Sequence, residues 1–347
     1  MKALRLHAVN DLRLDEVDKP EISGKEILVR VKACGICGSD IPRTFRLGTK
    51  VNPVTLGHEF SGIVEKVAAS EDQDLIGKRV SVFNIAPCHQ CEACSKGDYA
   101  HCEHISYLGT RLDGGFAGYC RVPSRFNLVV CDHETVSDQA LAMMEPMSVA
   151  LHVIRKAEPL PWNSMLIIGA GPIGILAARW AKVFGVKKIL LIDVVPEKID
   201  FAKEHGVDAV SAENADMAVK KMFGAADITI EGTGSSAGLA QAVKLTTHGG
   251  KIILLGNPAA SVSLEVQQYS ELLRKELTIK STWNSYYGND PVNEWRFGME
   301  ALADGRMEVD DLVTHTADLG HIKELFEKIN DKRVLACKAM LVNEERC

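Results

Sequence analysis

One stretch, S-M-L-I-I-G-A-G-P-I-G-I-L-A-A-R-W-A-K-V-F-G-V-K-K-I-L-L-I-D from Ser164 to Asp193, restricts the fold more than any other. Met165–Ile168 is an apolar run of strand length, and Pro172 to about Phe184 has the length of a helix. Gly185 breaks that helix, and Lys188–Ile192 reads as a second strand. Gly169, Gly171 and Gly174 lie in the turn between first strand and helix, and Asp193 follows 19 residues after Gly174. Strand, glycine turn, helix, strand and acid in this order form a dinucleotide-binding unit. The glycines permit a tight turn, close approach of backbone to a pyrophosphate, and close helix–strand packing. Unpaired N–H groups at the helix start attract the phosphates. Asp193 accepts from ribose hydroxyls and repels a 2′-phosphate, so the expected cofactor is NAD(H) rather than NADP(H).

The alternation of strand and helix continues beyond this unit. Expected strands are 165–168, 188–192, 208–210, 226–231, 251–255 and 277–281, with helices near 172–184, 196–204, 214–222, 235–246 and 268–275. Six strands separated by helices fit two mononucleotide-binding halves sharing one parallel sheet. Candidate cofactor residues are Gly169, Gly171, Pro172, Ile173, Gly174, Asp193 and Lys198, with Gly232 and Gly256 after the fourth and fifth strands. The alternation lapses after about residue 284; 294–302 and 322–329 read as helices and 339–342 as a final strand.

The chain before this region is β-rich. Short strands flank Asn10-Asp11, Glu26–Ala33 alternates as a full strand, and further strands are expected at Ile63–Val67 and Lys78–Phe83, with Ser70–Asp74 a charged loop. C-G-I-C-G-S-D, Cys34 to Asp40, reads either as a redox C-x-x-C or as one ligand cysteine followed by a hydroxyl and a carboxylate. G-H-E-F-S-G, Gly57 to Gly62, favours the second reading, because Cys37, His58 and Glu59 together suit zinc. Cys88, Cys91, Cys94 and Cys102 form C-x2-C-x2-C-x7-C, a spacing that surrounds one tetrahedral structural ion. Met143–Ile154 opens a helix in which Glu145 either serves the helix start or has a functional role. Cys34, Cys120, Cys131, Cys337 and Cys347 have no ligand spacing and are expected as free thiols.

Composition excludes some function classes. The net charge of −6 and the lack of a basic run argue against nucleic-acid binding. The longest apolar run, Met165–Ala178, is interrupted by glycines and a proline and is too short for a membrane span. The first residues show no apolar leader segment, so the protein is expected in the cytoplasm, where closely spaced cysteines bind metal rather than form disulfides.

Taken together, C-G-I-C-G-S-D, G-H-E-F-S-G, the four-cysteine loop, M-E-P-M-S-V-A-L-H and G-A-G-P-I-G resemble the zinc-containing medium-chain dehydrogenases over essentially the whole chain. S-D-I-P-R-T-F-R-L-G, Y-L-G-T-R-L-D-G-G-F-A and L-L-R-K-E-L-T-I-K-S-T-W-N-S-Y are most similar to its polyol branch, that of the sorbitol and galactitol-1-phosphate dehydrogenases. The resemblance implies an α/β architecture: a GroES-like β-rich catalytic domain from 1–150 and 285–347, with a structural zinc lobe at about 86–104, and a Rossmann domain at 151–284. It implies a catalytic zinc on Cys37 and His58 with Glu59 or Glu145 as third ligand, and a second, structural zinc on the four cysteines. It assigns Asp40 to orienting His58 and Ser39 to relaying the substrate proton. Pro42 stands where some relatives carry a relay histidine, and 68–76 lacks the usual glycine of that turn.

The implied reaction is oxidation of an alcohol that zinc binds as a Lewis acid, with hydride passing to the nicotinamide. The expected substrate is a sugar alcohol or its phosphate, oxidised at a secondary hydroxyl to a ketose, and the expected partner is this small molecule, with no nucleic acid and no membrane. Arg43, Arg46, Lys50, Arg111 and Arg296 are either candidates for a phosphate or solvated surface residues, and Trp283, Asn284, Tyr286 and Tyr287 either line a pocket or, as aromatics after a core strand more often do, serve packing. The resemblance implies a homodimer or homotetramer. Another secondary alcohol, such as L-threonine or butanediol, is the alternative substrate. A zinc-free quinone reductase lacks these ligands, and a non-catalytic NAD and zinc sensor keeps the fold without turnover.

Overall fold

The structure, a computed structural model, describes residues 1–288 and 293–343; Cys347 lies outside them. The chain forms two compact units, Pro146–Ser285 and the combined segments Met1–Glu145 and Tyr286–Cys347.

In the Pro146–Ser285 unit six parallel strands form one sheet, in the order Ala209–Ser211, Lys188–Asp193, Ser164–Ile168, Ala226–Glu231, Thr246–Leu254 and Thr278–Ser281. Numbered along the chain this is 3-2-1-4-5-6, the doubly wound Rossmann order, which reverses between Ser164–Ile168 and Ala226–Glu231. The central strand is buried at every residue, as a sheet covered on both faces requires. Proline stands in the first turn of both Pro172–Val183 and Pro196–Glu204, where its missing N–H costs nothing. The fifth strand begins earlier than the expected 251. Ala226 pairs with Thr246 and Ile228 with Lys251, so the residues between bulge, and Gly249 takes up a φ of +68°.

The other unit is built on a seven-stranded sheet. The path Leu128–Cys131, Arg79–Val82, Glu59–Val67, Ile27–Ile36, Lys338–Val342 and Val313–Ala317 carries Tyr119–Val122 as an additional partner of Ile27–Ile36. Ile27–Ile36 runs past the expected end at Ala33 because Ala33–Ile36 pairs with the last strand. Glu59–Val67 likewise starts four residues before the expected 63, opposite Gly35. Ser70–Leu75 is a 3-10 turn rather than a loop, with Leu75 buried. Leu4, Val29, Phe60, Phe116, Phe326 and Leu341 belong to the core beneath the sheet. Among the described residues no helix is long and apolar enough to cross a membrane.

Candidate metal centre and cofactor site

Strand pairing assembles the first cluster. Cys37 follows directly on Ile27–Ile36, Glu59 opens its own strand opposite Gly35, and Lys338 opens the strand whose Ala339 pairs with Ile36. His58 directly precedes Glu59. One donor atom from each of Cys37, His58 and Glu59 lies within 4.8 Å of the others. A thiolate, an imidazole and a carboxylate at this separation form a donor set for zinc, and that many protein ligands leave a fourth position open.

The surrounding groups hold these donors in place. Asp40 is fully buried; its Oδ2 accepts from the Cys37 N–H at 3.0 Å and its Oδ1 from Arg43 Nη1 at 2.5 Å. The His58 Nδ1 lies 3.5 Å from Asp40 Oδ1, an ion-pair contact without hydrogen-bond geometry, which leaves this buried nitrogen without a formal partner. Burial opposes a charge on His58, yet the Asp40 and Cys37 charges hold its pKa well above the ordinary histidine range. A divalent cation would answer the same negative potential. Ser39 is exposed, and its hydroxyl donates to Cys37 Sγ at 3.3 Å.

Two glutamates flank the histidine, each with a different partner. Glu59 Oε2 accepts from Lys338 Nζ at 2.6 Å, an ion pair in which both side chains are almost wholly buried. Lys338 Nζ also donates to the Ile36 carbonyl at 3.3 Å. Glu145, 8% exposed, stands outside the close group; its Oε1 accepts from Asn84 Nδ2 at 3.4 Å. Burial pushes the Glu145 carboxyl up to about 7, a shift that His58 opposes and Glu59 reinforces. Sequence reading did not find Lys338 or Asn84. A lysine inside the apolar run K-A-M-L-V was the available sign of Lys338, whereas Asn84 had none.

The four cysteines form a second donor set. Cys88, Cys91, Cys94 and Cys102 bring their sulfurs within 4.8 Å of one another, with Cys88 and Cys94 at 4.0 Å and no disulfide. Zinc–sulfur bonds of about 2.3 Å require tetrahedral sulfur separations of about 3.8 Å, so the loop is already near that shape. Amides of Cys94 and Glu103 lower the Cys91 thiol to about 6, while burial lifts that of Cys94 to about 12. The short pairs Ile85–Tyr107 and Ala86–Ser106 close the base of the loop. His101 is bonded to Asp98 at 2.7 Å, and the His89 ring packs on Tyr99 and Phe126.

The phosphate and pocket candidates are dispersed. Arg43 is committed to Asp40, and Arg111 donates to the Ile105 carbonyl and lies over the Tyr107 ring. Arg46, Lys50 and Arg296 are exposed. Tyr287 packs in the core, on Phe83 at 4.5 Å and on Phe126 at 5.1 Å. Trp283 is exposed, Tyr286 is half-buried, and Asn284 has a φ of +55°.

In the Pro146–Ser285 unit, a Cβ on Gly174 would lie 2.0 Å from the Gly169 carbonyl oxygen, whereas one on Gly171 would meet nothing within 4 Å. The turn is thus closed against its own helix and open at Gly171, the N-cap of the 12-residue helix that begins with Pro172 and Ile173. Asp193 Oδ2 accepts from the Ala170 N–H at 2.7 Å, and Oδ1 from Val194 and Val195 at 2.8 and 2.9 Å. Gly232 and Gly256 follow neighbouring strands at the same end of the sheet, and Lys198 stands half-buried in the first turn of Pro196–Glu204. A free helix start, a glycine turn and a carboxylate with one lone pair to spare on Oδ2 fit a dinucleotide.

Two family models match the chain. Residues 23–132 match the family model of the alcohol dehydrogenase GroES-like domain, and residues 172–304 that of the zinc-binding dehydrogenases. Galactitol 1-phosphate 5-dehydrogenase of Escherichia coli (strain K12) is 31% identical, over 88% of this chain and 91% of its own. Sorbitol dehydrogenase of Bacillus subtilis (strain 168) is 30% identical, over 94% of this chain and 93% of its own. The crystal structure of galactitol-1-phosphate dehydrogenase from Escherichia coli matches with a TM-score of 0.89 at 29% identity, covering 99% of this chain and all of that one.

Proposed function

The chain belongs to the zinc-binding alcohol dehydrogenases with a GroES-like domain, and from that premise we propose that it oxidises a secondary hydroxyl of a polyol or polyol phosphate to a ketose, with NAD as acceptor. The observation that carries this reading is the convergence of Cys37, His58 and Glu59 within 4.8 Å, with buried Asp40 behind the histidine. The chemistry supplied by bound zinc and NAD is Lewis acidity at the alcohol oxygen and uptake of the hydride.

The chain's own residues hold the donors and move the proton. Cys37 and His58 are the fixed metal ligands, with Glu59 or Glu145 completing the set. Asp40 fixes the ring of His58 and is itself neutralised by Arg43. Ser39, exposed and next to Cys37 Sγ, receives the substrate proton and passes it on. Pro42 has no proton-carrying group, so the path beyond Ser39 runs to water. Cys88, Cys91, Cys94 and Cys102 hold a structural zinc. Gly169, Gly171, Pro172, Ile173 and Gly174 cradle the pyrophosphate, Asp193 and Lys198 face the adenosine ribose, and Gly232 and Gly256 edge the pocket.

We take the enzyme to work in the cytoplasm as a homodimer or homotetramer, its catalytic domain formed by 1–150 and 285–347 and its cofactor domain by 151–284. A reducing compartment suits the nine described cysteines, none of which is in a disulfide. A substrate panel on the zinc-loaded protein tests the function: NADH formation is expected with galactitol 1-phosphate or sorbitol well above L-threonine and ethanol. Activity confined to simple primary alcohols, or none with any alcohol, overturns it.

A further inference from the structure

Glu231 ends the strand Ala226–Glu231 with its carboxylate buried, and among the described residues no Lys, Arg or His pairs with it. Donors of the following turn answer its charge. Oε1 accepts from the Thr233 N–H at 2.8 Å and from the Thr233 hydroxyl, and Oε2 from the Gly234 N–H at 3.0 Å. The main-chain carbonyl of the same residue accepts from Leu255 and Gly256 N–H at 2.9 and 3.0 Å. One residue therefore ties together the turns that follow two neighbouring strands. The packing there has no slack: a Cβ on Gly256 would lie 2.0 Å from Gly234 N, and one on Gly238 2.4 Å from Glu231 Oε1.

The first of these turns stands against the glycine loop. A Cβ on Gly169 would lie 3.6 Å from Thr233 Cγ2 and 3.7 Å from the Gly232 carbonyl carbon, while Gly232 and Thr233 present exposed surface. Ile168 and Glu231 are paired residues on the two strands between which the sheet order reverses. Dinucleotides cross an open sheet at that point. We propose that Glu231 is a positioning residue for the dinucleotide, aligning the edge formed by Gly232 and Thr233 with the glycine loop. It acts through the turn and touches no reacting atom. This rests on the reading that NAD occupies this end of the sheet.

The test substitutes the carboxylate without changing its shape. In Glu231→Gln an N–H donor faces the Thr233 or Gly234 N–H, so the turn loses an acceptor and two donors oppose each other. Titrating the full-length, zinc-loaded protein with NADH by fluorescence is expected to show Kd raised about tenfold or more in Glu231→Gln. KM for NAD should rise with it, while KM for the alcohol and zinc content stay unchanged, and Glu231→Asp should fall between the two. A Kd for Glu231→Gln within about twofold of the parent value overturns the proposal, whatever happens to melting temperature. If Glu231→Gln does not fold, Thr233→Val removes the hydroxyl but keeps both amide bonds. It should raise Kd about threefold, and an unchanged Kd overturns the proposal. A parent protein that binds no NADH would instead overturn the cofactor reading, and this inference with it.

Discussion

Lys338 is the residue whose energetics are most one-sided. Its ammonium is buried, and its counter-charge is Glu59, in contact at 2.6 Å. Burial alone would strip the proton, but the Glu59 and Cys37 charges outweigh it and hold the pKa above the ordinary lysine value. Removing one member of such a pair leaves the other charge without compensation, which typically costs about 3–5 kcal/mol. Lys338→Met should therefore lower unfolding free energy by about that much in urea titration. It should also lower zinc occupancy of the Cys37 site in metal analysis, since Glu59 loses the contact that orients it. Stability within about 0.5 kcal/mol of the parent would mean that the pair is not formed in the folded protein. Asp193 is the residue proposed to set cofactor choice. Its carboxylate already serves three backbone amides, so its place is fixed before any ribose arrives. Asp193→Asn removes the charge that repels a 2′-phosphate and weakens a hydrogen bond of about 1.5–3 kcal/mol. The ratio of kcat/KM for NAD over NADP should fall by about tenfold or more, and an unaltered ratio would displace Asp193 from this role.

Among elements, the glycine turn and its helix are fitted without slack. Gly174 stands so close to the Gly169 carbonyl that a methyl group at 2.0 Å forces helix and turn apart. Gly174→Ala should cost about 1–3 kcal/mol of stability, as overpacking does, and NADH titration should show affinity lowered by more than the change in stability explains. Wild-type affinity in this variant would mean that the turn does not contact the cofactor. This element was also the most legible in the sequence, because strand, turn and helix each follow from residues adjacent in the chain. Expected and observed helices there differ by no more than two residues at either end: 196–204 against Pro196–Glu204, and 268–275 against Val266–Arg274. Legibility failed where an element owes its length to a distant partner. C-G-I extends Ile27–Ile36 because Lys338–Val342 pairs with it, and no local pattern reveals a pairing across 300 residues. The metal donors were legible as chemistry, by residue type and spacing, whereas Lys338 and Asn84 depend on the sheet that delivers them. Tyr287 stays open in the sequence between pocket and packing, because an aromatic after a strand carries no sign of which side it will face; in the fold it packs against Phe83.

On the scale of the whole molecule, the two donor sets differ in what else supports them. Between Ala86 and Tyr107 only Cys94 and Cys102 are buried, so that lobe has almost no apolar core and depends on its ion for shape. Cys37, His58 and Glu59 instead project from the ends of a seven-stranded sheet that packs on an apolar core of its own. The sets also differ in closure. Four thiolates complete a tetrahedron, while the Cys37 set keeps a position open and stands beside the exposed Ser39. A tridentate chelator such as dipicolinate needs an open position to begin displacement, so it should empty the Cys37 site first. Zinc per chain should fall from two to one with turnover lost, while far-ultraviolet circular dichroism and melting temperature change little. Removing the second ion should need a mercurial that attacks the thiolates, and melting temperature should drop at that step, about 1–2 °C for each kcal/mol lost in a chain of this size. Readdition of zinc after the first step should restore activity in full, because the sheet has kept its donors in register. Loss of both ions together, or a fall in melting temperature at the first step, would show that the Cys37 site also carries the fold.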